Sequence, residues 1–131
     1  MKRIALAALA AAALATGAHA ADRVKVGFIS TLSGPNAALG IDIRDAFQLA
    51  VKMNGGKLGG LPAEVIVVDD QFNPDTGKQA ADRLIKRDRV DFLTGIVFSN
   101  ILLAAVPPAI EAKTIVVSAN AGPSQLAGEQ C

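Results

Sequence analysis

The chain has 131 residues, half of them hydrophobic (51%) and few aromatic (4%), with 13 basic against 12 acidic side chains. A formal charge of +1 supplies no basic excess to hold a polyanion or an anionic lipid surface, which argues against nucleic acid as a partner. A single Cys and a single His exclude an internal disulfide framework and any metal site that needs several such ligands.

The first twenty residues carry much of the hydrophobicity. Lys2 and Arg3 form a basic start, Ile4 to Thr16 are almost wholly Ala, Leu and Ile, and Ala18-His19-Ala20 has the small-x-small pattern of a cleavage site. The apolar run is shorter than the about 20 residues a helix needs to span a bilayer. Export to the periplasm with removal of a signal peptide over residues 1–20 is therefore expected, and stable membrane insertion is not. Cleavage between Ala20 and Ala21 leaves 111 residues with a formal charge of −1 and no histidine. That length fits one domain with a core of its own. Cys131 is the last residue, and a lone thiol in an oxidising compartment implies a partner elsewhere or a free thiol, so the chain is expected to be cut short.

Beyond the leader, apolar runs of strand length alternate with segments of helical period. This predicts an α/β fold, an open parallel sheet with helices on both faces. Val24 to Ser30 is a near-continuous β-rich run, as in a strand buried on both faces. A loop is predicted from Thr31 to Gly40. Ile43, Ala46, Phe47, Ala50 and Val51 then recur at i, i+3, i+4, i+7 and i+8, giving a helix with one apolar face that stops at Asn54-Gly55-Gly56. Gly55 to Pro62 reads as turn, and Ala63 to Val68 as the second strand, ended by Asp69-Asp70. Asn73-Pro74 marks an N-cap with proline in the first turn of a second helix that runs to about Asp88. Ala80, Ala81, Leu84 and Ile85 form its buried stripe, and Asp82 can pair with Lys86 at i, i+4. A short strand near Phe92 to Thr94, a loop from Gly95, a helix from about Asn100 and a strand from Thr114 to Val117 complete the pattern. Pro107 and Pro108 lack backbone donors, which predicts a kink or break in the third helix.

In open parallel sheets ligands bind beyond the carboxyl ends of the strands, so the candidate site is built from Thr31 to Gly40, Gly95 to Asn100 and Ser118 to Gly122. Leu32-Ser33-Gly34 with Gly40, Met53-Asn54-Gly55-Gly56, Asp69-Asp70 with Asn73-Pro74, Gly95 followed by Ser99, and Ser118 occur in a fixed order and spacing. From Val24 onward this set resembles the type I periplasmic solute-binding proteins of the branched-chain amino acid ABC transporter group, the Leu/Ile/Val-binding protein-like family. The resemblance implies a two-lobed receptor, monomeric at full length, that closes on a small solute and delivers it to an inner-membrane ABC permease without a cofactor. Residues 21–131 would be its truncated N-terminal lobe.

The resemblance also implies that the third and fourth loops hold the solute's carboxylate and ammonium, which maps onto Ser99, Asn120 and Gly122. Ser33, Leu39 and Asn100 join them as ligand-binding candidates. Leu39 stands where amino acid binders present an aromatic residue, and Asn120 with Gly122 where they tend to have a small residue and a threonine. Phe72 and Phe98 stand where some members carry a disulfide, so a ring pair is expected instead. The loop from Ser118 to Leu126 is similar to branches that take up aromatic carboxylates, which ranks such acids ahead of branched-chain amino acids.

The residue chemistry points the same way, because hydroxyls and main-chain N–H groups at a helix start hold a carboxylate well. The competing roles are plain ones. Ser99 or Asn100 could serve only as the N-cap of the third helix, Ser33 and Gly34 only as a turn, and Asp69 and Asp70 as turn or cap residues. An α/β enzyme fragment is disfavoured by the mature chain's lack of histidine, of a P-loop and of a Gly-x-Gly-x-x-Gly turn. The ligand-sensing domain of a membrane receptor would share all these features.

Overall fold

The computed structural model describes residues 22–128, so the expected leader, its Ala20–Ala21 cleavage site and Cys131 lie outside the described residues. Five strands form one sheet: β1 (Val24–Ser30), β2 (Lys57–Leu58), β3 (Leu61–Asp69), β4 (Phe92–Thr94) and β5 (Ile115–Val117), in the order β2-β3-β1-β4-β5. β1 lies between β3 and β4, parallel to both, and β5 extends the parallel set beyond β4. The predicted parallel sheet is thus present, with one addition at its edge. The stretch Gly55 to Pro62, read as turn, contains β2 and the start of β3, paired antiparallel through Leu58 and Leu61. Gly59 and Gly60 make this possible, since both have positive φ (57° and 85°), as a two-residue hairpin turn requires.

Among the described residues, three α-helices cover the sheet: α1 (Ala37–Met53), α2 (Pro74–Arg83) and α3 (Ser99–Glu111). β1 shows how they divide between the faces. Phe28 packs against Phe47 of α1, ring centroids 5.3 Å apart, whereas its neighbour Ile29 belongs to the core built with α2 and α3. Ala80, Ala81, Leu84, Ile101, Leu102 and Ala105 form the centre of that core. A Cβ on Gly77 would lie 2.6 Å from the Ile101 side chain, so a glycine lets α2 approach α3 this closely.

Two predicted boundaries are corrected. The loop expected to reach Gly40 ends sooner, because α1 begins at Ala37 after Ala37 N–H donates to Gly34 O at 3.2 Å. Leu39 and Gly40 are therefore helical. α3 runs unbroken to Glu111 through Pro107 and Pro108, where a kink or break was expected. Both prolines lie late in the helix, and the turn after them is closed by Ala112 N–H to Pro108 O and Thr114 N–H to Ala109 O. The core contacts of Ala105, Val106 and Ala109 offset the donors that the prolines lack. α2 follows its prediction, passing into a wider π-type turn over Leu84–Asp88, and Lys86 pairs with Asp82 at 2.5 Å.

Among the described residues no strand pairs beyond β5. Ile115 and Val117 are 66% and 53% exposed, and an apolar groove of about 700 Å³ runs beside them, lined by Leu102, Val106 and Ile110 of α3 and by Val116, Ala121 and Leu126.

Candidate functional site

Because β1, β3, β4 and β5 all run the same way, the segments leaving them gather along one edge: residues 31–36, 70–73, 95–98 and 118–123. The first two are joined by the acidic pair that ends β3. Asp69 Oδ1 accepts from Leu32 N–H and Gln71 N–H, at 2.9 Å each. Asp70 Oδ1 accepts from the Thr31 hydroxyl at 2.5 Å and from Phe72 N–H at 2.9 Å. Thr31 and Asp70 are wholly buried, and Asp70 Oδ2 has no hydrogen-bond partner among the described residues.

The two carboxyls shift in opposite directions. Burial pushes the Asp70 pKa up, against the opposing effect of the Thr31 hydroxyl and the Phe72 N–H, and the charge of Asp69 adds to the rise. Burial also acts on Asp69, but there the Ser33 side chain and the Leu32 and Gln71 amides outweigh it and hold the carboxyl below its ordinary value.

Gln71 and Phe72 both adopt left-handed backbone, with φ of 55° and 59°, a costly arrangement for two consecutive non-glycine residues. The carboxylates of Asp69 and Asp70 hold it by taking both N–H groups. Phe72 then meets Phe98 edge-on, centroids 4.7 Å apart at 84°, so the expected ring pair is in contact. Such a pair adds about 0.5–1.5 kcal/mol beyond its burial.

Phe98 is also the N-cap of α3, and it has no side-chain acceptor to offer. The helix makes its first internal bond from Leu102 N–H to Phe98 O, leaving the N–H groups of Ser99, Asn100 and Ile101 without intrahelical partners. No acidic residue lies in this first turn. The capping role weighed for Ser99 and Asn100 therefore falls to Phe98, while Ser99 and Asn100 are the first two helical residues, both exposed. α1 likewise starts without a side-chain cap or an acid. α2 is built the other way. Asn73 Oδ1 accepts from Asp75 and Thr76 N–H at 2.9 and 3.2 Å, and Asp75 complements the dipole. Of the helix starts on this edge, α2 is closed and α1 and α3 stay positive and open.

The fourth segment is tied to the third. Asn120 Nδ2 donates to Val97 O at 2.9 Å, and Thr94 Oγ1 donates to Val117 O at 2.8 Å. Ser118 Oγ donates to Ala121 O within the loop. Asn120 is thus tied to the carbonyl of Val97, two positions before Ser99 in the chain. Ser33 is exposed in the first segment, Leu39 is 44% exposed on α1, and Gly122 is exposed in the fourth segment with open space where a side chain would be. All six candidates lie on or beside one edge. Asp69 and Asp70, expected only as turn or cap residues, brace the edge, and the sole signal for this in the sequence is an Asp-Asp pair closing a strand.

An open α/β sheet with uncapped helix starts, hydroxyls and small residues along one edge has the architecture of the first lobe of a type I periplasmic binding protein. The chain belongs to the family described as Periplasmic binding protein, which matches residues 23–131. It is 35% identical over 127 residues to Leu/Ile/Val-binding protein homolog 6 of Brucella abortus, covering 96% of this chain and 33% of that protein. Among solved structures, a solute-binding protein of an ABC transporter from Rhodopseudomonas palustris BisB5, in complex with 3,4-dihydroxybenzoic acid, superposes with a TM-score of 0.75 at 36% identity, covering 79% of this chain and 29% of that one. A branched-chain amino acid transporter substrate-binding protein from Streptococcus pneumoniae, in complex with isoleucine, gives 0.74 at 27% identity over 79% of this chain and 30% of that one. The chain spans about a third of the length of these relatives.

Proposed function

We propose that the chain is the N-terminal lobe of a periplasmic substrate-binding component of an ABC transporter, exported by a leader over residues 1–20, that captures a small carboxylate for an inner-membrane permease. The observation that carries this reading is the open start of α3. Three N–H groups without intrahelical partners, the Ser99 hydroxyl and the positive end of the helix dipole meet where no side chain caps and no acid neutralises them. Ser99 and Asn100 receive the carboxylate, Ser33 and Gly122 let the flanking loops approach it, and Leu39 contributes apolar surface to the solute body. Aromatic acids rank ahead of branched-chain amino acids, a ranking supported by the greater identity to the relative crystallised with 3,4-dihydroxybenzoic acid than to that crystallised with isoleucine. The chemistry is capture and release, with no bond made or broken.

Ser99→Ala tests the assignment in the two-lobed protein. Binding of the carboxylate is expected to weaken by about 1.5–3 kcal/mol, the range for a hydrogen bond to a charged group. Thermal stability is expected to hold, because Phe98 and not Ser99 occupies the cap. Unchanged affinity on calorimetric titration would remove Ser99 from the site.

A further inference from the structure

α3 begins without the device that fixes α2. Asn73 Oδ1 takes two N–H groups at the start of α2, which steadies that turn and also fills it. Phe98 has no such acceptor, and an uncapped first turn frays unless something else holds it. What holds Phe98 lies outside the helix. Asn120 Nδ2 donates to the carbonyl of the preceding Val97, and the ring of Phe72 meets the ring of Phe98 edge-on, centroids 4.7 Å apart. Neither contact uses an N–H group of the α3 start. The Phe72 contact, however, is costly to maintain. Gln71 and Phe72 both take left-handed backbone, and Asp70, wholly buried, keeps Oδ2 without a hydrogen-bond partner among the described residues. A plain turn from β3 to α2 needs neither feature, since glycine adopts the same φ without strain. Burial does not account for the ring either, because Phe72 is 42% exposed.

We propose that Asp70 is a positioning residue for solute binding: it aims the Phe72 ring that clamps Phe98, and the clamp fixes the start of α3 while leaving its N–H groups free. This rests on the carboxylate-binding reading above and deepens it. Asp70 is buried and acts through the two rings. Its Oδ1 accepts from the Thr31 hydroxyl and from Phe72 N–H, so the segment after β1 and the turn that carries the ring are held by one atom. A side-chain cap on α3 would give the same rigidity by occupying the donors that the solute needs. Holding Phe98 by its ring gives a start that is ordered before the solute arrives, so less ordering remains to be done on binding.

The test is a double-mutant cycle read as affinity. 4-Hydroxybenzoate and leucine are titrated calorimetrically into the two-lobed protein, its Asp70→Ala and Phe72→Ala variants and the variant with both changes, each under conditions where urea unfolding shows it to be folded. Each single change is expected to weaken the better-bound acid about tenfold with one-to-one stoichiometry kept, the scale of ordering a loop and its side chains anew on binding. The double variant is expected to bind no more weakly than either single one, because both changes break the same path. Asp70→Asn, which retains an oxygen for the Thr31 hydroxyl and Phe72 N–H, should restore most of the affinity lost in Asp70→Ala. Where Asp70→Ala does not fold, Phe72→Ala, at a half-exposed side chain, and Asp70→Asn carry the test. A brace that serves stability alone would lower the urea midpoints and leave the affinities of the folded variants at the parent value, and that result overturns the proposal, as do fully additive losses in the double variant. If neither acid binds the parent, the carboxylate reading fails and the proposal falls with it, an outcome distinct from parent binding that the variants leave unchanged.

Discussion

Gly40→Ala is expected to destabilise the chain more than any other single-methyl addition along the binding edge. Gly40 sits in the second turn of α1, where alanine ordinarily gains about 1 kcal/mol over glycine in a helix. Here that gain is overruled. An added Cβ would stand 2.0 Å from Thr31 O and 2.9 Å from the Ser30 hydroxyl oxygen. The nearer neighbour is backbone, in a wholly buried residue, so relief requires the helix or the first ligand loop to move by more than an ångström. Overpacking of this kind costs about 1–3 kcal/mol and occasionally more, and the contact distance puts this site at the upper end. Gly122→Ala is the control, since nothing lies within 4 Å of its added methyl. Urea denaturation of the three proteins should show a large drop in midpoint for Gly40→Ala and almost none for Gly122→Ala. Equal midpoints for Gly40→Ala and the parent would mean that α1 is not seated against Thr31.

Asp70→Ala is expected to be nearly as damaging, for an opposite reason. It removes the acceptor for the buried Thr31 hydroxyl and for Phe72 N–H, and an abandoned buried donor costs about 1–3 kcal/mol. The left-handed turn at Gln71 and Phe72 loses one of its two anchors, and the ring contact with Phe98 loosens with it. The intact carboxyl also leaves a pH signature. Its folded-state pKa is raised by burial, so between the unfolded value of 3.8 and the folded one the native state holds more protons than the unfolded state. Stability linked to Asp70 is therefore present at acid pH and is lost as pH rises through the folded pKa. Asp69, held low, works in reverse, contributing stability that is lost as pH falls. The difference in unfolding free energy between parent and Asp70→Asn, followed across this window, isolates the Asp70 share. A difference independent of pH would contradict the burial argument.

Much of this fold can be read from local patterns. The β-rich run of β1, the apolar stripe of α2 and the Asn73-Pro74 start each declare themselves within a few residues. The misreadings arise where a residue's reason lies elsewhere in the chain. Gly40 looked like loop punctuation because its role, close approach to Thr31 O, is invisible without the neighbour. β2 is too short to show a period, and only the Gly59-Gly60 turn hints at a hairpin. Pro107 and Pro108 predicted a break that core contacts of the same helix prevent. Of the site, the order of loops along the edge was legible because it follows from strand direction alone. The brace between Thr31 and Asp70, 39 residues apart, and the link from Asn120 to Val97, 23 apart, depend on tertiary approach that no spacing rule supplies.

If this edge is one wall of a two-walled site, side-by-side calorimetric titration of residues 21–131 and of the two-lobed protein will separate them. Good small-molecule sites bury about 70–90% of the ligand surface, which loops on a single sheet edge cannot do. Water then competes for the N–H groups at the start of α3, and a hydrogen bond there adds little net free energy. With 4-hydroxybenzoate and leucine as ligands, the two-lobed protein is expected to give saturable one-to-one binding of at least one of them, and the isolated chain none within tenfold of that affinity. Equal affinity in the isolated chain would show that a single lobe forms the whole site and that no second wall is needed.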